Sequence, residues 1–245
     1  MDIETAKQEF EKFLEKYDSK NERIKYKKSH SYRVMQEAEQ IAKSLNLSEE
    51  EIQIAMLIGL LHDIGRFEQI KRYNTFKDYL SVDHGDLGVE ILTKDNYIRN
   101  YIKETKYDSI ILKAIKNHNK FKIEEGLSEK ELLFAKIIRD ADKLDIFYEG
   151  VMQFWNTDEK IKEIEESEPS LEILEKFKNK QLINNKEEKT PVDRLLKFFS
   201  FIFDINFKYS IQKIQNEDYV NKVLSKFSFK NKEIKEMIRR AYEIS

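Results

Sequence analysis

The sequence predicts an all-α protein, and three observations carry that prediction. Only 6 glycines and 2 prolines serve 245 residues, whereas sheet proteins rich in tight turns need more of both. Apolar residues recur at steps of three and four. Helix-start signals precede several of these runs. A mean hydropathy of -0.69, with 40% hydrophobic and 37% charged residues, describes charge-covered helices around an apolar interior.

The first element is a short amphipathic helix over residues 3–17, through Ile3, Phe10, Phe13, Leu14 and Tyr17. A second, from about Ile24 to Leu45, sets Val34, Ala38, Ile41 and Leu45 on one stripe, with His30 four residues before Val34. Ser48 and Glu51 form a capping box for a third, whose face reads Ile52, Ala55, Ile58, His62. Gly59 costs this helix ~1 kcal/mol relative to Ala, which close approach by a neighbouring helix would explain. Gly65 is expected to end it, just after His62-Asp63. Residues 66–82 show no period and read as a loop.

Asp83 can cap the next helix, which carries His84, Leu87, Gly88 and Ile91 on one side. Asp108 opens another, with Ile111, Ile115 and His118 sharing a face. Ser128 and Glu131 form a second capping box before Phe134, Ile138, Ala141, Asp142 and Asp145. After Gly150 comes a charged stretch from Trp155 to Glu168, then helices near 171–183, 192–209 and 217–243. Asn184 to Thr190 is a short polar linker. The Phe-rich run from Leu195 to Phe207 reads as buried helix.

A net charge of -2 excludes the basic footprint of a nucleic-acid binder. The absence of cysteine removes disulfides, thiolate nucleophiles and thiolate-bound zinc. The first residues lack the basic and apolar regions of a signal peptide, and no apolar run reaches the ~20 residues of a membrane span. A soluble, cytoplasmic protein without membrane partners is the expectation.

All 4 histidines fall between positions 30 and 118. Each of His30, His62, His84 and His118, together with Asp63 and Asp142, falls on or at the end of a helix face otherwise filled with apolar residues. One such histidine is ordinarily a hydrogen-bonded core residue. Six ionisable groups on inward faces are costly unless they share a partner. Imidazole and carboxylate together suit Mn, Fe, Co, Ni or Zn.

This arrangement resembles the HD-domain superfamily of metal-dependent phosphohydrolases. The resemblance rests on His30 in Ser29-His30-Ser31-Tyr32-Arg33-Val34, on His62-Asp63-Ile64-Gly65-Arg66, on Ser81-Val82-Asp83-His84, and on His118 and Asp142. It implies a helical bundle with a core over about 24–150 and additional C-terminal helices over about 151–245, within one helical domain spanning 1–245. It further implies two divalent metal ions. His30, His62, Asp63 and Asp142 would hold one, His84 and His118 the second, and Asp63 would bridge them. The expected reaction is hydrolysis of a phosphate ester or anhydride in a nucleotide or other small phosphorylated metabolite by a metal-activated water.

Arg66 is a candidate phosphate ligand through its planar fork of donors, and Lys143 a candidate donor to a phosphoryl oxygen or leaving group. With Asp63 they make up the expected catalytic set. Lys71, Arg72 and Lys77 are weaker candidates, ordinarily solvated. Phe67, Tyr73, Phe76 and Tyr79 can stack on a base or anchor the loop. The acidic residues that follow the His-Asp pair in the guanosine-tetraphosphate hydrolases and deoxynucleoside monophosphatases are replaced by Arg66 and Phe67. The Gly-Tyr-Pro signature of cyclic-dinucleotide phosphodiesterases is absent. Two other functions fit the same residues: a di-iron oxygenase similar to inositol oxygenase, and a non-catalytic sensor.

Overall fold

In the computed structural model, helix α1 (Ile3–Leu14) is opened by Asp2, whose carboxylate accepts from the amides of Glu4 and Thr5. Its Phe10 and Phe13 lie edge-on to Phe67, with ring centroids 5.8 and 6.2 Å away. Residues 2–228 and 232–243 are described. Helices α2 (Glu22–Ser44) and α3 (Glu49–Leu61) follow, and they pack closely because α3 carries Gly59. A Cβ there would lie 2.7 Å from Met35 Cα of α2. A backbone atom cannot yield as a flexible side chain can, so the helix tolerates glycine's poor propensity in exchange for this approach. Ser48 and Glu51 form the expected capping box.

The chain does not loop out after the His-Asp pair. Helix α4 (Ile64–Tyr73) begins at once and ends at Asn74, which takes a left-handed conformation. The expected loop over 66–82 is thus helical through Tyr73, and irregular only beyond it apart from a 3-10 turn at Asp78–Leu80. Ile64, Phe67 and Ile70 recur every three residues and are buried. That run is one turn shorter than a confident periodic signal, and the charged residues between them hide it. Full burial of a side chain such as Phe67 stabilises by ~1.5–3 kcal/mol. Gly65 is no helix end. It sits in the first turn of α4, where a Cβ would lie 2.2 Å from the His84 carbonyl oxygen. Its bare backbone lets α4 meet the start of α5 (His84–Thr93), which Asp83 caps through the amides of Gly85 and Asp86.

Helix α6 (Asp108–Asn117) has no side-chain cap: Asp108 is its first residue and pairs with Arg99. Helix α7 (Glu129–Glu149) starts at the Ser128–Glu131 capping box. Glycine-led residues Gly150–Phe154 form a short π-helical turn.

The C-terminal helices are shorter than the sequence implies. They are α8 (Asp158–Glu165), α9 (Leu171–Lys178), α10 (Pro191–Ser200), α11 (Lys208–Asn216), α12 (Tyr219–Leu224) and α13 (Lys232–Tyr242). The run 192–209 is not one helix. After Ser200 comes a 3-10 turn, Phe201–Asp204, and Ile205 is extended. Run 217–243 is likewise divided, with Asp218 at positive φ before α12 and residues 229–231 outside the described set. At the first break Asn206 Nδ2 donates to the Asp204 carbonyl at 3.1 Å, a local side-chain bond of the kind that competes with the helix backbone. No strand occurs among the described residues. The contacts of the chain divide it into two units, Met1–Asp145 and Ile146–Ser245. All six predicted metal ligands belong to the first.

Candidate metal centre

His62 and His118 occupy equivalent places. Each is the C-cap residue of its helix, α3 or α6, where backbone carbonyls have no intrahelical donor. His62 Nδ1 donates to Gly59 O at 2.8 Å and His118 Nδ1 to Ile115 O at 2.6 Å. A carbonyl can only accept, so Nδ1 carries the proton and Nε2 presents its lone pair. His30, inside α2, sets Nδ1 2.6 Å from Asp145 Oδ2. His84, the first residue of α5, sets Nδ1 2.7 Å from Asp78 Oδ2. All four rings are therefore oriented through Nδ1, as metal-binding histidines are.

The four Nε2 atoms fall into two pairs. His30 and His62 are 3.1 Å apart, His84 and His118 3.0 Å. Asp63 lies between them at the start of α4 and caps nothing. Its Oδ2 is 3.3 Å from His30 Nε2 and 3.5 Å from His62 Nε2. Its Oδ1 is 3.3 Å from His84 Nε2 and 3.6 Å from His118 Nε2. Asp142 Oδ1 joins the first pair, 3.2 Å from His30 and 3.8 Å from His62. Within His30, His62 and Asp63, and within Asp63, His84 and His118, the donors lie near enough to one another for one ion.

This donor set fits a cation. Ligands ~2.1 Å from one ion stand ~3.0 Å apart in octahedral and ~3.4 Å apart in tetrahedral coordination. Lone pairs facing one another repel unless a proton or a metal lies between them. Burial, the largest influence on both rings, pushes His62 down to about 3 and His84 down to about 4, so these rings are neutral at pH 7. His30 differs. Burial and Lys27 oppose its protonation, but Asp142, Asp145 and Asp63 together push it up to about 10. Burial likewise opposes ionisation of Asp63, yet Lys27 and the histidines hold its carboxyl well below the usual range.

Five of the six donor side chains are under 5% exposed, and Asp142 is 20% exposed. Asp142 is thus the most exposed of the six. Arg66 and Lys27 are also partly open, at 14% and 12%. Arg66 NH1 is engaged by Gln69 Oε1, the Phe76 carbonyl and Asp78 Oδ1 at 2.7–2.8 Å. Its Nε lies 3.6 Å from Asp63 Oδ1 without a hydrogen bond. Lys143 is buried, its ammonium 3.4 Å from the Arg139 carbonyl on its own helix. Lys71, Arg72 and Lys77 are exposed, and Arg72 pairs with Glu68. Phe67 is core, whereas the Phe76 ring faces the Arg66 guanidinium at 5.6 Å.

Sequence reasoning gave no role to four groups that complete the site. Asp145 holds His30 and is itself gripped by Arg33 at 2.5 and 3.0 Å. Its position three residues after Asp142 on one helix was the available signal. Asp78 holds both His84 and Arg66. Asn119 donates to Asp78 and Asp83. Lys27 donates to Asp63 Oδ2 at 2.6 Å, although it looks like one more cation in Lys25, Lys27, Lys28.

Residues 28–146 match the family model described as HD domain. This segment is an HD domain. HD domains are mostly metal-dependent phosphohydrolases. No curated protein and no solved structure matches the chain.

Proposed function

We propose that the HD domain hydrolyses a phosphate ester or anhydride of a small phosphorylated metabolite, a nucleotide being one such substrate, with two divalent ions. The observation that supports this reading is the division of Asp63, one oxygen toward His30 and His62 and the other toward His84 and His118. When bound, such a pair of ions lowers the pKa of water and stabilises the oxygens of an in-line phosphoryl displacement. The chain supplies the rest. The Nδ1 bonds fix each ring with Nε2 turned toward the other donors, and the apolar faces of α2, α3 and α6 keep bulk water from them. Arg66, with NH1 tied down and Nε unbonded beside Asp63, is placed to donate to an anion. For Lys143 the proposed role is donation to a leaving group from the Asp142 side.

The test is phosphate release from a panel of generic phosphoesters by protein loaded with Mn, Co or Ni. We expect turnover to fall by at least ~10³-fold in Asp63→Ala, with helical circular dichroism retained. Full turnover in that variant would remove the reading. Oxygen uptake by iron-loaded protein would replace it with the oxygenase.

A further inference from the structure

Lys27 has a geometry that a surface lysine would not have. Its ammonium lies 2.6 Å from Asp63 Oδ2, the oxygen facing His30 and His62. The Tyr26 and Phe76 rings each stand 5.5 Å from the same nitrogen. Tyr26 in turn is stacked on the His30 ring, its centroid 6.2 Å away at an interplanar angle of 11°. The Lys27 side chain is 12% exposed, so it lies at the edge of the site and in contact with solvent.

One oxygen cannot serve an ammonium at 2.6 Å and a divalent ion without bringing two positive charges within a few ångströms. Their repulsion at that range is worth several times the thermal energy even at an effective dielectric constant of ~20. When an ion binds between His30, His62, Asp63 and Asp142, the ammonium must leave Asp63 Oδ2. It then needs a new acceptor near the same mouth. Rotation about the four-carbon stem leaves it between the aromatic rings, where an incoming anion would arrive.

We infer that Lys27 is a substrate-binding residue released by metal binding: its ammonium neutralises Asp63 until an ion arrives, then pairs with a phosphoryl oxygen. The anion it takes rests on the phosphohydrolase reading, whereas its competition with metal for Asp63 does not. Two consequences follow by linkage, since each ligand must strengthen the other by the same factor. Phosphate binds the metal-loaded protein more tightly than the metal-free protein. Metal binds more tightly when phosphate is present.

Isothermal titration of the full chain with Mn alone, then of the Mn-loaded protein with inorganic phosphate, tests this in wild type, Lys27→Met and Lys27→Arg. In Lys27→Met we expect Mn affinity without phosphate to rise about fivefold or more and phosphate affinity to fall by about tenfold, within the usual range of coupling between sites. Lys27→Arg restores phosphate binding. A general structural defect weakens both ligands, so the opposed signs identify the role. Mn affinity unchanged or weakened in Lys27→Met would overturn the exchange. Phosphate bound as tightly as by wild type would overturn the anion contact alone, and failure of Mn-loaded wild type to bind phosphate would overturn that contact together with the phosphohydrolase reading.

Discussion

The two halves of the candidate metal centre share one plan but differ in charge. Each half uses one histidine anchored on a helix carbonyl, His62 or His118, and one anchored on a carboxylate, His30 by Asp145 or His84 by Asp78. Asp63 gives an oxygen to each. Among the described residues, only the first half has a further carboxylate facing its Nε2 atoms, Asp142. It therefore offers two anionic oxygens where the second offers one, and the neighbouring cations differ as well: Lys27 touches the first and Arg66 borders the second. Shared geometry with unequal charge teaches that the two proposed ions need not bind equally. The first half should hold its ion more tightly.

Removing a donor from one half is the largest way to break this comparison. In His118→Ala, we expect elemental analysis after dialysis to find one ion retained and turnover reduced by at least ~10²-fold. In His62→Ala the tighter ion is the one lost, so less metal remains at the same free concentration. Equal retention by both variants would contradict the asymmetry.

Loosening a ring without removing it has a smaller effect. Asp145→Asn and Asp78→Asn should each weaken one ion by ~10–100-fold, the usual effect of losing the acceptor behind a metal-binding histidine. Asp145→Asn acts on the first half and Asp78→Asn on the second, where it also releases Arg66 from an ion pair. Competition titration with a coloured chelator would separate the two ions.

The smallest effect is on stability of the metal-free protein. His62 and His84 have depressed folded values of about 3 and about 4, below the ordinary value of 6.5. The unfolded chain thus takes up protons first as pH falls, and stability declines from pH ~6.5 down toward 4. His30 is raised to about 10. Its contribution is complete below pH ~6.5 and is lost as pH rises toward 10. Each proton linkage has a limiting slope of ~1.4 kcal/mol per pH unit. Urea unfolding in chelator at pH 5, 7 and 9 should show greatest stability at pH 7. His30→Gln should flatten the alkaline limb and leave the acidic one.

Much of the site was legible in the chain. Its scarce histidines mark the donors because each falls on an inward helix face, and capping boxes at Ser48 and Ser128 locate the helices that carry His62 and Asp142. The groups behind the donors were not legible. Lys27 looks like any lysine in a charged helix, and Asp78 like any acid in a connection. What distinguishes them is the residue across from them, which spacing along one helix cannot reveal. Helix α4 was missed because three buried residues, Ile64, Phe67 and Ile70, gave too short a period against the expectation that Gly65 stops a helix.

Residue periodicity and capping chemistry are local, acting within a few positions of the chain. For this protein they located helices α1 to α3 and α5 to α7 and singled out the six candidate donors. Tertiary packing decided which candidate donors lie together, because that depends on separations between different helices. It divided Asp63 between two histidine pairs, set Lys27 against one of its oxygens, and let Gly65 bring α4 against the carbonyl of His84. These are through-space contacts between residues many positions apart, and only the folded chain makes them.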